Sequence, residues 1–159
     1  MSETVKVDTT NPDLFKPPEF PVLAPGVHTF AVSKISSWED SKSEGNNKVK
    51  SLEFRCQDED ESKGLVVFER FVLIDPSDTS DKAAKARKIN QQSMTTFCLA
   101  CGVTTKEEVM ATGELPIDRC LDSFFKAETK VVSSTYQGET RKRAEIKRYL
   151  YTDSDGNKG

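Results

Sequence analysis

Hydrophobic positions along this chain recur at two spacings, and the change from one to the other separates strands from helices. From Val27 the alternation is β-like, with Phe30 and Val32 on one face and Thr29, Ala31 and Ser33 on the other. Ile35 then falls on the wrong parity. A bulge near Ser33-Lys34 is therefore expected, returning Ile35 to the core and turning Trp38 outward. Ser43-Glu44-Gly45-Asn46-Asn47 reads as a turn into a second strand, where Leu52, Phe54 and Cys56 alternate with Ser51, Glu53 and Arg55. Beyond Asp58-Glu59-Asp60-Glu61 and Lys63-Gly64, residues Leu65 to Ile74 are apolar on both parities, the pattern of a central strand covered on both faces.

Asp75-Pro76-Ser77 stops that strand, and the period lengthens. Ser80 is placed to cap a helix carrying Ala83, Ala86, Ile89, Ser93, Phe97 and Ala100 along one face, with Gly102 just past its end. Thr104-Thr-Lys-Glu107 reads as a capping box opening a short second helix that Gly113 closes. A fourth strand is expected from near Arg119, with Phe125, Ala127, Thr129 and Val131 on one face. Gln137-Gly138 turns it into a basic fifth strand, Arg141 to Tyr151.

Five prolines (Pro12, Pro17, Pro18, Pro21 and Pro25) make residues 1–25 an extended arm, from which Phe15, Phe20, Val22 and Leu23 can dock. Residues 26–151 then form one domain, and 152–159 a short flexible tail. Three strands, a helical insert and two strands predict a mainly β fold. The expected form is a five-stranded OB-fold barrel with the insert between strands 3 and 4 and the Pro-rich N-terminal arm extended.

Composition changes this picture little. A charged fraction of 31% and no long apolar run exclude a membrane-spanning helix. The N-terminus lacks a basic segment followed by an apolar one, so the expected location is the cytoplasm, with the four cysteines reduced.

Charge alters it more. The net charge of −3 opposes phosphate binding, yet Arg119 to Tyr149 holds eight basic residues against four acids. In the last strand Lys142, Ala144, Ile146, Arg148 and Leu150 share one parity, and Arg141, Arg143, Glu145, Lys147, Tyr149 and Tyr151 the other. The second set is expected to face outward, with Tyr149 turning inward instead if a bulge intervenes at Arg148. Cations along a groove track phosphates, and interleaved rings stack on bases. The candidate contacts are Lys34, Trp38, Lys48, Lys50, Arg55, Arg70, Lys126, Lys130, Tyr136, Arg141, Arg143, Lys147 and Tyr149. The partner this chemistry implies is single-stranded DNA, with paired bases bound poorly because their faces are hidden. A charge run that merely guards an edge strand is the plainer alternative.

Catalytic chemistry has little to stand on. Cys98-Leu-Ala-Cys101 lies at a helix C-terminus, where the dipole opposes a thiolate, and zinc there would need Cys56 or Cys120 to turn towards it. Packed, inert thiols are the expectation. His28, the single histidine, shares parity with Phe30 and Val32, which favours a structural role. Asp58 to Glu61 lacks the spacing of a calcium loop, and no phosphate loop is present. The expectation is a non-enzyme without cofactor or metal.

Several segments together carry a resemblance: Pro25-Gly26-Val-His-Thr-Phe30, Leu52-Glu-Phe54, Gly64-Leu-Val-Val-Phe68 with Phe71-Val-Leu73, Leu99-Ala-Cys-Gly102 and Arg143-Ala-Glu-Ile-Lys-Arg-Tyr-Leu150. Over roughly residues 17 to 151 the chain resembles a family of small phage-encoded OB-fold proteins that coat single-stranded DNA during replication and recombination. The resemblance implies action in the host bacterial cell, no cofactor, and replication or recombination proteins as partners. Many such proteins recruit those partners through an acidic C-terminal tail. Here Tyr151 is followed by Thr-Asp-Ser-Asp-Gly-Asn-Lys-Gly, which holds two acids and a lysine. A homodimer would form through the arm or the helical insert. The rival readings are a module that binds another protein, or a thiol or zinc protein using Cys98 and Cys101.

Overall fold

A computed structural model describes residues 4–12, 14–15, 22–41 and 46–151, apart from the side chain of Tyr136. The strands are β1 (Gly26–Ile35), β2 (Glu39–Asp40), β3 (Lys48–Cys56) and β4 (Val66–Leu73), followed by helices α1 (Asp81–Ala100) and α2 (Lys106–Thr112). A 3-10 turn (Ile117–Cys120) then leads into β5 (Phe124–Tyr136) and β6 (Glu139–Leu150). All the strand pairings are antiparallel.

The sheet runs β2–β3–β1–β5–β6, with β4 also paired to β3. Lys48 of β3 pairs with Asp40 on one side and Leu73 on the other, so β4 flanks one edge of β3 while β1 and then β2 follow the opposite edge. The expected closed five-stranded barrel is thus replaced by a six-stranded antiparallel sheet with β4 and β6 as its outer strands. Helix α1 spans the interval between them. Its Phe97 packs against Phe71 of β4 and Tyr149 of β6, with ring centroids 5.6 and 5.3 Å apart.

The core is aromatic. Phe30, Phe54, Phe71, Phe97, Phe125 and Tyr149 are all buried, and Phe54 meets Phe125 edge-on at 4.8 Å. Such contacts add about 0.5–1.5 kcal/mol per pair beyond the area buried. Leu23 of the arm is buried against this core, whereas Phe15 is exposed; Phe20 lies outside the described residues, as do the tail and positions 42–45 of the expected turn.

Bulges set which side chains reach the core. The β1–β3 register slips between Val32 and Lys34, leaving Ser33 as the extra residue, where the parity of Ile35 placed it. A second slip opposite Glu128 and Thr129 leaves Lys147 unpaired in β6. Each reverses the faces that follow.

Four local expectations are corrected. Strand β4 is an outer strand, paired among the described residues with β3 alone, and one of its faces is covered: Val67 and Phe71 are buried but Phe68 is exposed. Arg119 sits in the 3-10 turn, and β5 begins at Phe124. In α1 the face towards the sheet carries Met94, Phe97 and Cys98, while Ile89 is exposed and Asn90 accepts the Val72 backbone N–H at 3.0 Å. Ser80 caps α1 as expected, accepting the Ala83 N–H. The cap of α2 falls one residue late, Thr105 accepting from Glu108 while Thr104 bonds the Glu108 carboxylate. No helix among the described residues is long and apolar enough to cross a membrane.

Candidate nucleic-acid interface

Register decides what the outward sheet face presents. Phe124 stands opposite Ala31, Ala31 opposite Arg55, and Arg55 opposite Val66, one row across four strands. The next row on the same face sets Lys34 opposite Glu53 and Glu53 opposite Phe68. Beyond it Ser51 faces Arg70. On the other side of the Phe124 row, Thr29 faces Lys126, and Val27, Glu128 and Arg148 follow.

This face therefore carries two phenylalanines, Phe68 at 72% and Phe124 at 62% exposure, among five exposed cations: Lys34, Arg55, Arg70, Lys126 and Arg148. Strands about 4.8 Å apart put the ends of the Phe124 row roughly 14 Å apart. Among the described residues, no ion pair involves Lys34, Arg70 or Lys126. Arg55 reaches Glu53 at 3.6 Å and the Gly64 carbonyl at 3.3 Å.

The β5–β6 ribbon extends beyond β1, exposing Lys130, Arg141 and Arg143. Its turn residues Gln137 (φ 51°) and Gly138 (φ 80°) adopt the left-handed pair that matches the twist of a two-residue hairpin. Arg141 pairs with Glu139 at 3.5 Å and Arg143 with Glu145 at 2.9 Å. Glu128 holds both Arg148 (2.7 Å) and Lys147 (3.6 Å). The Tyr136 side chain lies outside the described residues.

Three expected contacts are elsewhere. Tyr149 is buried, because the Lys147 bulge turns it inward and Arg148 outward. Its hydroxyl donates to Glu69 Oε2 at 2.6 Å. Burial raises the pKa of Tyr149, and burial likewise raises that of Glu69 despite the hydrogen bond it accepts. Lys50 is only 3% exposed and pairs with Asp118 at 2.9 Å. Its ammonium lies 5.4 Å from the centre of the Trp38 ring. Trp38 itself is half-buried and packs against the core instead of facing outward, lining with Lys50, Ile117 and Arg119 a cleft of about 240 Å³. Lys48 is exposed but engaged by Asp40.

Phe68 and Phe124 escaped the sequence reading, though signals existed. In Phe124-Phe125 adjacent rings on one strand must face opposite ways. Phe68 was hidden by the assumption of cover on both faces. Lys50 shares the parity of Leu52, Phe54 and Cys56, which pointed to its burial.

The thiols form a separate cluster. Cys98 hydrogen-bonds Cys120, which also contacts Cys101; that bond and burial push the Cys98 thiol far above its ordinary value, and Cys120 is pushed up to about 12 by its bond with Cys101 and burial. A thiolate, the nucleophilic form, is disfavoured at both positions. Elsewhere, His28 Nδ1 lies 2.6 Å from Asp58 Oδ2.

No protein-family model matches this chain, and a search of curated proteins finds no match either.

Proposed function

We propose that the outward face of the sheet binds single-stranded DNA, the protein acting by stoichiometric coating without catalysis. The observation that carries this reading is the pair Phe68 and Phe124, held out in water on the same face as Lys34, Arg55, Arg70 and Lys126. Rings amid cations suit unpaired bases on a phosphate backbone, at about 1–3 kcal/mol per stacked base. The β5–β6 ribbon continues the cationic track through Lys130, Arg141 and Arg143.

The strand order supports an OB-type architecture: β1 lies between β3 and β5, β4 follows β3, and β6 follows β5. Together with the resemblance described above, it makes phage replication or recombination the proposed setting.

A second reading is favoured by the carboxylates paired with Arg55, Arg141, Arg143 and Arg148. Cations already neutralised, beside apolar Val27 and Phe124, also suit a protein partner. Fluorescence anisotropy with labelled oligo-dT, a duplex of equal length and rising salt separates the two. Binding of the single strand that weakens with salt supports the DNA reading. Absence of binding at low salt overturns it and leaves the protein partner.

A further inference from the structure

At one end of the sheet, away from the thiol cluster of α1, three side chains of different chemistry converge. Phe30 pairs with Cys56 in the β1–β3 ladder, so His28, two residues earlier, stands level with Asp58, two residues later. The imidazole, thiol and carboxylate ligand atoms all lie within 4.8 Å of one another. We propose that His28, Cys56 and Asp58 form a zinc-type metal site, with His28 Nδ1, Cys56 Sγ and an Asp58 carboxylate oxygen as ligands.

The surroundings of the three ligands favour a metal over a simple ion pair. His28 Nε2 donates to the Ala24 carbonyl at 2.7 Å, which fixes the ring and points Nδ1 at the cluster. A metal-bound histidine is usually held in this way by its second nitrogen. Asp58 Oδ1 accepts the Thr29 N–H at 3.0 Å, leaving Oδ2 directed at His28. The chain between Cys56 and Asp58 is held by Gln57 N–H donating to the Thr29 carbonyl at 2.8 Å, and Gly64 N–H donates to the Cys56 carbonyl at 2.9 Å. These hydrogen bonds fix the backbone beside Cys56 and Asp58.

One sulfur, one nitrogen and one oxygen donor match the borderline-soft preference of Zn²⁺, and three protein ligands leave a fourth tetrahedral position for water. Coordination uses the Cys56 sulfur as thiolate and the Nδ1 lone pair, so metal binding competes with protons at both atoms. Cys56 is fully buried, while the side chains of His28 and Asp58 keep 11% and 22% exposure and form the approach.

The test is a Co²⁺ titration of the chelator-treated full chain with thiols kept reduced. One equivalent should give a near-ultraviolet thiolate-to-cobalt band and tetrahedral visible bands, both removed by Zn²⁺. Cys56→Ser should abolish the near-ultraviolet band, while a Cys98→Ser, Cys101→Ser double variant should keep it. Asp58→Asn should weaken Co²⁺ binding by at least about tenfold, the lower end of what loss of even an outer-shell partner costs. Absence of cobalt bands in the unmodified chain overturns the site, as does a band that survives Cys56→Ser or an affinity unchanged in Asp58→Asn.

Discussion

The Tyr149 hydroxyl donates to Glu69 Oε2 at 2.6 Å, tying β6 to β4, the two outer strands that no backbone pairing joins among the described residues. The other Glu69 oxygen accepts the Arg70 N–H at 2.9 Å, so the carboxylate is occupied on both sides. Tyr149→Phe keeps the ring in the aromatic core but leaves Oε2 without its donor. The expected cost is about 1–3 kcal/mol of unfolding free energy, measured by urea denaturation. Binding of oligo-dT by the folded variant should be unchanged.

Glu69 also predicts a pH dependence. Its folded pKa is raised, chiefly by burial, so between the unfolded and folded values the native state binds more protons than the unfolded chain. This contribution to stability is complete below the unfolded value and is lost as pH rises through the folded one. Glu69→Gln removes it. Urea midpoints across a pH series should show the wild type losing stability relative to the variant as pH rises from about 4; parallel profiles would refute the assignment.

The exposed rings are the sharpest handle on function. Phe68→Ala and Phe124→Ala should each weaken oligo-dT binding by about 1–3 kcal/mol. Their exposure means thermal stability should move by no more than about 0.5 kcal/mol. Affinity that survives the double variant would detach DNA binding from this face.

Two cations on one strand pair should behave oppositely. Arg70→Glu, on the outward face, should weaken binding of every sequence tested and reduce the slope of log affinity against log salt by about one for each lost phosphate contact. Lys50→Ala should leave that slope unchanged and lower stability instead, because Lys50 packs under Trp38 and Asp118 lies in solvent. Parallel salt titrations and urea curves on both variants decide it.

Much of the secondary structure was legible in local pattern, since strand parity and helix period are properties of neighbouring residues. Leu52, Phe54 and Cys56 point inward as their alternation requires, and Ser80 and Gly113 bound their helices. The Ser33 bulge was legible too, because Ile35 broke the parity. The second bulge was foreseen only as a condition at Arg148, for nothing in the alternation of β6 chooses between Tyr149 inward and Arg148 inward.

That choice belongs to tertiary structure. Tyr149 packs against Phe54, Phe97 and Phe125 and finds a carboxylate acceptor inside, whereas Arg148 finds Glu128 at the surface, and the slip at Lys147 satisfies both. The same holds for the candidate site. The sequence by itself determined that rings and cations alternate along strands of known parity. Only the pairing of β4 as an outer strand, and the register across β5, β1, β3 and β4, decided that Phe68 and Phe124 share a face while Lys50 and Tyr149 are withdrawn from it. Side-chain direction is local, but which face meets a core depends on partners distant in the chain.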